Sequence, residues 1–333
     1  MNRAQPAFDY EALAAELVRA LRGRRSQIAA SRRVGAHSNV VHAWEARRAF
    51  PSASQFFALA ERLTQRGRAG IESFYQREPG WLVEVDPWTK LGPARFLQDL
   101  RANRSILDIA RATGIDRFAV GRYLKGRSEP RLPDFLHLID VLSLRLLDFV
   151  ESFVNPERLP SVVAAWEKLQ IARRAAYDAP WSQAVLRVLE LEEYQRLPRH
   201  RSGYIARLLG ISREQEQEAL ELLEGGGQIR KENGRFRVVE SLVVDTRRDP
   251  AGAERTRRFW ANVVANRLRA QPGSPFAYNL FSVSREDMQR IRELERAFFR
   301  DLRQIVAASS PSQSVALVTI AHLEFRAAAP KKR

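Results

Sequence analysis

The sequence predicts a mainly α fold: two repeated helical domains, a helical region that ends in one hairpin, and a small α+β element. Three observations predict it. Apolar residues recur at helical spacing through most of the 333 residues. Sliding the chain by about 79 residues aligns 17–74 with 96–153 without a gap, with about 16 of 58 positions identical. Strand-like patterns are confined to short segments of the second half.

The repeat comes first in the chain. VGAHSNVVHAWEARRAFP (34–51) and TGIDRFAVGRYLKGRSEP (113–130) share a glycine, a valine, an aromatic residue and a proline at equal offsets. In the second copy Ile109, Ala110 and Thr113 read as the inward face of a helix, which Gly114 closes by taking the left-handed conformation that glycine adopts cheaply. Asp116 is placed to cap the next helix, whose inward positions are Val120 and Tyr123. Gly126 and Pro130 end it, and Phe135, Leu138 and Leu142 form a further apolar stripe. Two short helices joined by such a glycine turn form a helix-turn-helix. The domains are expected at 1–77 and 93–154, with a connector rich in proline and tryptophan at 78–92.

Both copies resemble the Xre-type helix-turn-helix family, that of the phage lambda repressor and Cro. The first keeps the family's glutamine eight residues before the turn glycine (Gln27) and its Trp-Glu pair (Trp44, Glu45). The second departs from it, with Ile106 for the glutamine and Tyr123-Leu124 for Trp-Glu. The resemblance implies a lambda-repressor-like fold for each copy and contact with double-stranded DNA. It further implies that the third, fourth and eighth residues after the turn glycine approach bases. These are Ser38, Asn39 and Ala43, with Gln27 and His42 beside them, and Arg117, Phe118 and Arg122 in the second copy. Asparagine matches adenine's donor and acceptor, and arginine matches guanine's two acceptors. Arg47, Arg48, Lys125, Arg127 and Arg131 are expected to hold phosphates.

A boundary near 155–160 precedes two expected helices, 161–177 and 181–197. Ile205, Ala206 and Leu209 before Gly210, with Ser212 as cap and Gln215 completing a capping box, make a third helix-turn-helix pattern. Ile229–Lys231, the Asn233-Gly234 turn and Phe236–Val238 read as a hairpin, so 161–246 is expected to be a helical and winged-helix domain. Its second helix carries Glu214, Glu216, Glu218 and Glu221, charges that repel phosphates, so a structural or protein-contact role is expected. Glu216 also stands where such helices are usually apolar. A loop near 249–252 and a helix at 254–269 follow. A strand–helix–strand pattern then runs through 276–283, 284–307 and 314–325, its helix carrying a buried stripe of Met288, Ile291, Leu294, Phe298, Leu302 and Ile305. This α+β region, 253–327, is expected to serve assembly or sensing, and 328–333 is a basic tail. From 161 to 326 the order of elements resembles an uncharacterised bacterial domain that follows helix-turn-helix modules in transcription regulators.

Composition bounds the function. The formal charge is +16, and 17–77 alone holds about 12 basic residues against 3 acidic ones, a surface that attracts polyanions by counterion release. With no cysteine, neither a disulfide nor a thiolate metal site can form, and a cytoplasmic location is expected. The opening MNRAQPAFDY lacks a signal-peptide core, and no apolar run is long enough for a membrane span. The five histidines lack metal-ligand spacing, and no nucleophile elbow, phosphate loop or dinucleotide fingerprint occurs, so neither catalysis nor a cofactor is expected. The expected function is sequence-specific DNA binding in transcription regulation. A homodimer is expected through the C-terminal half, and an effector or protein partner is left open. The alternative is a nonenzymatic adaptor that binds protein or RNA through its helical modules.

Overall fold

The computed structural model describes residues 8–239, 249–270, 273 and 276–323. The first repeat is five helices: α1 (Tyr10–Arg22), α2 (Gln27–Arg33), α3 (Val40–Glu45), α4 (Ala53–Thr64) and α5 (Gly67–Tyr75). After α6 (Gly80–Glu84) in the connector, the second repeat supplies α7 (Leu91–Arg101), α8 (Ile106–Thr113), α9 (Arg117–Leu124), α10 (Leu132–Ser143) and α11 (Leu146–Phe153). Hydroxyl and carboxylate caps start several of them: Asp9 for α1, Ser26 for α2, Ser52 with Gln55 for α4, Ser105 for α8. The backbone repeats as faithfully as the sequence. Positive φ occurs at Gly23 and Ala102 (61° and 50°), Gly35 and Gly114 (83° and 69°), Arg47 and Gly126 (58° and 66°), and Gln65 and Leu144 (58° and 56°). Every pair is separated by the repeat length.

The two repeats share one core. Phe56, Phe57 and Phe74 from the first meet Phe96, Phe135, Phe149 and Phe153 from the second, with ring centroids 5.1 Å apart for Phe56 and Phe153 and 5.6 Å for Phe57 and Phe135. Gly70 lets α5 approach α11 so closely that a Cβ there would lie 2.5 Å from the Phe153 ring. Between them the Leu132 amide donates to the Pro51 carbonyl (2.8 Å) and the Ala53 amide to the Pro130 carbonyl (3.1 Å). Pro51 matches Pro130 and Ala53 matches Leu132 in the repeat, so these reciprocal bonds mark an approximate two-fold axis.

The C-terminal half begins with a 3-10 turn (Pro156–Arg158) and α12 (Val163–Asp178). Arg173 of α12 pairs with the buried Asp148 of α11, and the Ser161 amide and hydroxyl donate to Glu16 of α1. Next come α13 (Ser182–Leu189), α14 (Glu192–Gln195), α15 (Tyr204–Leu209), α16 (Arg213–Gly225) and the antiparallel hairpin β1 (Ile229–Glu232) and β2 (Arg235–Val238). The expected helix at 181–197 is therefore two. The chain turns extended at Leu191, which lets both Leu191 and Tyr194 enter the second core beside Leu186, Leu220 and Phe236.

α17 (Pro250–Ala270) starts earlier than expected, because Asp249 accepts the Ala251 and Gly252 amides and Pro250 takes the first helical position. α18 (Arg285–Ala308) has Ser284 as cap. Residues 276–283 and 314–323 run without strand pairing, contrary to the α+β expectation; a strand needs a backbone partner, and none lies beside them among the described residues. The remainder of 314–325 and the basic tail lie outside the described residues. The expected stripe on α18 is only partly covered: Met288, Ile291 and Leu302 are half-buried, whereas Leu294 is 70% exposed, Ile305 68% and Phe298 46%. Helical spacing showed that the face is apolar, and only packing could show what covers it. Among the described residues, no helix is long and apolar enough to cross a membrane.

Candidate nucleic-acid interface

In the first repeat, α2, the turn at Gly35 and α3 bring the expected residues together, but partly as partners of one another. Gln27 opens α2 and donates through Nε2 to Glu45 Oε2 (2.7 Å), while its Oε1 lies 3.1 Å from His42 Nδ1. Glu45 is buried and also accepts from Arg22. Burial alone would raise its carboxyl; hydrogen bonds from Arg22 and Gln27 and the nearby arginine charges outweigh that and hold it below the usual range. Asn39 is exposed but caps α3, its Oδ1 accepting from the His42 amide (3.4 Å) and lying 3.2 Å from the Ser31 hydroxyl. A two-point contact with adenine would require Oδ1 to release this cap. Ser38 is exposed.

The second repeat solves the same frame differently. Asp116 accepts the amides of Phe118 and Ala119, both at 3.0 Å, so α9 starts at Arg117. By the repeat offset that is two residues before the start of α3 at Val40. The cap sits on the counterpart of His37, and the counterpart of Asn39 is released from capping. Arg117, Phe118 and Arg122 are all exposed, with the Arg117 guanidinium 4.6 Å from the Phe118 ring centroid. The differences between the repeats at Ile106 and Leu124 belong together. They replace Gln27 and Glu45, so an apolar contact with the core stands where the first repeat has a buried hydrogen-bonded pair.

The cationic residues divide. Arg48, Lys125 and Arg127 are exposed at or just beyond the C-terminal ends of α3 and α9. Arg47 is exposed and pairs with Asp9 at 3.4 Å. Arg131 lies at the two-fold joint, where its guanidinium donates to the Phe50 carbonyl (3.2 Å). Sequence reasoning missed Arg22, whose link to Glu45 spans 23 residues. It also missed Ile28 and Leu107, exposed aliphatics at matched positions of α2 and α8; their equal offset was the available signal.

The third helix-turn-helix has another character. Glu214, Glu218 and Glu221 are exposed along α16. Glu216 is buried, and its carboxylate accepts the Gly203 amide (3.1 Å) and the Ala206 amide (2.6 Å) at the start of α15. An acid stands at this usually apolar position because it satisfies amides that the short helix leaves unpaired. The wing turn is the expected one, Asn233 and Gly234 both having positive φ. Among the described residues, no three acidic or histidine side chains converge in a way that could hold a metal ion.

Residues 163–322, from α12 almost to the end of the described chain, match the family model of a domain of unknown function (DUF4423). Comparison with curated proteins finds no match, and comparison with solved structures finds none.

Proposed function

We propose that this protein is a sequence-specific DNA-binding transcription regulator in which one chain carries a fused pair of readers. The observation that carries the reading is the reciprocal joint at Pro51–Ala53 and Pro130–Leu132, which relates two helix-turn-helix units by an approximate two-fold within a single core. B-DNA has local two-fold axes of its own, and paired readers related by such an axis meet two half-sites of one duplex. Here the halves differ: Ser38, Asn39 and His42 on one side, Arg117, Phe118 and Arg122 on the other. The site should therefore be composite, with two unlike halves. Arg47, Arg48, Lys125 and Arg127 supply phosphate contacts in this reading. The acidic face of α16 turns the winged-helix unit toward protein contact, and the apolar face of α18 serves a homodimer in the cytoplasm.

Random-library DNA selection with the purified full chain tests the proposal. The expected result is a composite sequence whose two parts respond separately to Asn39→Ala and to Arg122→Ala. Salt-sensitive binding without any sequence preference would overturn it, and preferential binding of RNA would favour the adaptor reading.

A further inference from the structure

We infer that Phe118 reads the C5 methyl group of a pyrimidine, in thymine or 5-methylcytosine, within the half-site of the second reader. The inference rests on the DNA-binding reading above. A single exposed apolar side chain is ordinary on a protein surface, so the weight lies in how this one is held. The ring is 62% exposed in the first turn of α9. Its own amide is tied to Asp116 Oδ1, which fixes where the side chain leaves the backbone. The Arg117 guanidinium lies over the ring. Three residues on, at a neighbouring position of the same face, stands Gly121, where an added Cβ would meet only the end of Ile106 at 3.8 Å. The ring therefore has open space on that side. Arg122, four residues from Phe118 and on the same face, is exposed.

A polar readout is closed to a phenyl ring, which has no hydrogen-bonding atom. The one apolar feature that distinguishes a base in the major groove is the pyrimidine C5 methyl group. The face thus offers an apolar surface for a methyl group next to a guanidinium suited to guanine. The first repeat holds Asn39 at the matched position and Ser38 where Arg117 stands, so it offers no aromatic surface there.

The test starts from the duplex selected by the full chain, with the second reader's half identified by its response to Arg122→Ala. Each thymine in that half is replaced in turn by deoxyuridine, which lacks only the methyl group. At one position binding should weaken about fourfold, the worth of one buried methyl group. Phe118→Ala should weaken binding to the thymine duplex at least as much and should make the protein indifferent to deoxyuridine at that position. Placing cytosine and then 5-methylcytosine there separates the sources: recovery on methylation shows that the methyl group itself is read, and recovery that survives Phe118→Ala overturns the assignment. Phe118→Ala that weakens binding with deoxyuridine neutral at every position, or that leaves affinity unchanged, also overturns it and leaves the DNA-binding reading standing. Failure to select any duplex removes both.

Discussion

Gly23 and Ala102 occupy the same position of the repeat, with φ of 61° and 50° and ψ of −133° and −127°. A side chain in this region is strained, and nothing lies within 4 Å of a Cβ built on Gly23, so the cost of adding one there is backbone conformation alone. Gly23→Ala should destabilise the protein by about 1–2 kcal/mol. Ala102→Gly should be neutral or stabilising by up to about 1 kcal/mol, since relief of strain exceeds the added freedom of the unfolded chain. Thermal denaturation of the two variants checks both signs. The glycine was visible in the sequence; that an alanine must copy its backbone was not, because identity at a position does not report φ.

At the scale of elements, α1 lies along α10 and joins the first repeat to the second. There the Tyr10 hydroxyl donates to Asp140 at 2.7 Å, and the His137 ring stacks on Tyr10 with centroids 4.5 Å apart. Burial pushes the Asp140 carboxyl up to about 6, although the hydrogen bond from Tyr10 opposes the rise. A carboxyl whose folded value lies above its unfolded one stabilises the fold below the unfolded value, and that contribution is lost as pH rises through the folded value. Asp140→Asn should therefore gain stability relative to the parent protein between pH 4 and pH 7, by on the order of 1–3 kcal/mol. Denaturant unfolding of both proteins across that range measures it, and taking the difference limits the influence of His137, which burial shifts down. A gap between the two proteins that stays constant with pH would contradict the assignment. The stripe residues of α10, Phe135, Leu138 and Leu142, were legible from apolar spacing. Their packing was not, since residues 10 and 140 share no local pattern.

For the whole molecule, two consequences can be measured. The first is electrostatic: affinity for the selected duplex should fall steeply between about 50 and 200 mM salt, as counterion release requires. Changing Arg47, Arg48, Lys125 and Arg127 together to alanine should flatten that dependence by up to one slope unit, roughly, per lost phosphate contact. An unchanged slope would remove them from the interface. The second concerns assembly. Leu294, Phe298, Ile305 and Val306 on α18, with Phe276, Tyr278, Leu280, Leu317 and Leu323 on the flanking segments, leave apolar surface uncovered in one chain. Leu294 and Phe298 stand one turn apart on α18. Exposed apolar groups adjoining in this way mark an interaction face, and a second copy of an amphipathic helix is self-complementary about a two-fold. Light scattering of the full chain should report a dimer at roughly 10 μM, a concentration at which a micromolar affinity already suffices. Leu294→Glu with Phe298→Glu should give a monomer that keeps the unit of the two repeats folded. A parent protein that is monomeric at that concentration would refute the dimer.

The sequence alone determined what depends on near neighbours: helix content, the repeat and its offsets, the caps at Asp116 and Ser212, and the hairpin turn at Asn233-Gly234. These follow from periodicity and turn chemistry within a few residues. Tertiary structure decided what depends on distant partners. It fused the two repeats through one phenylalanine core, gave Gln27 to Glu45 and His42, set Asn39 to capping, and left part of the α18 stripe exposed. Spacing along a helix establishes that a face is apolar or polar, whereas the occupant of that face is chosen by residues tens of positions away, through packing and desolvation that no local pattern encodes.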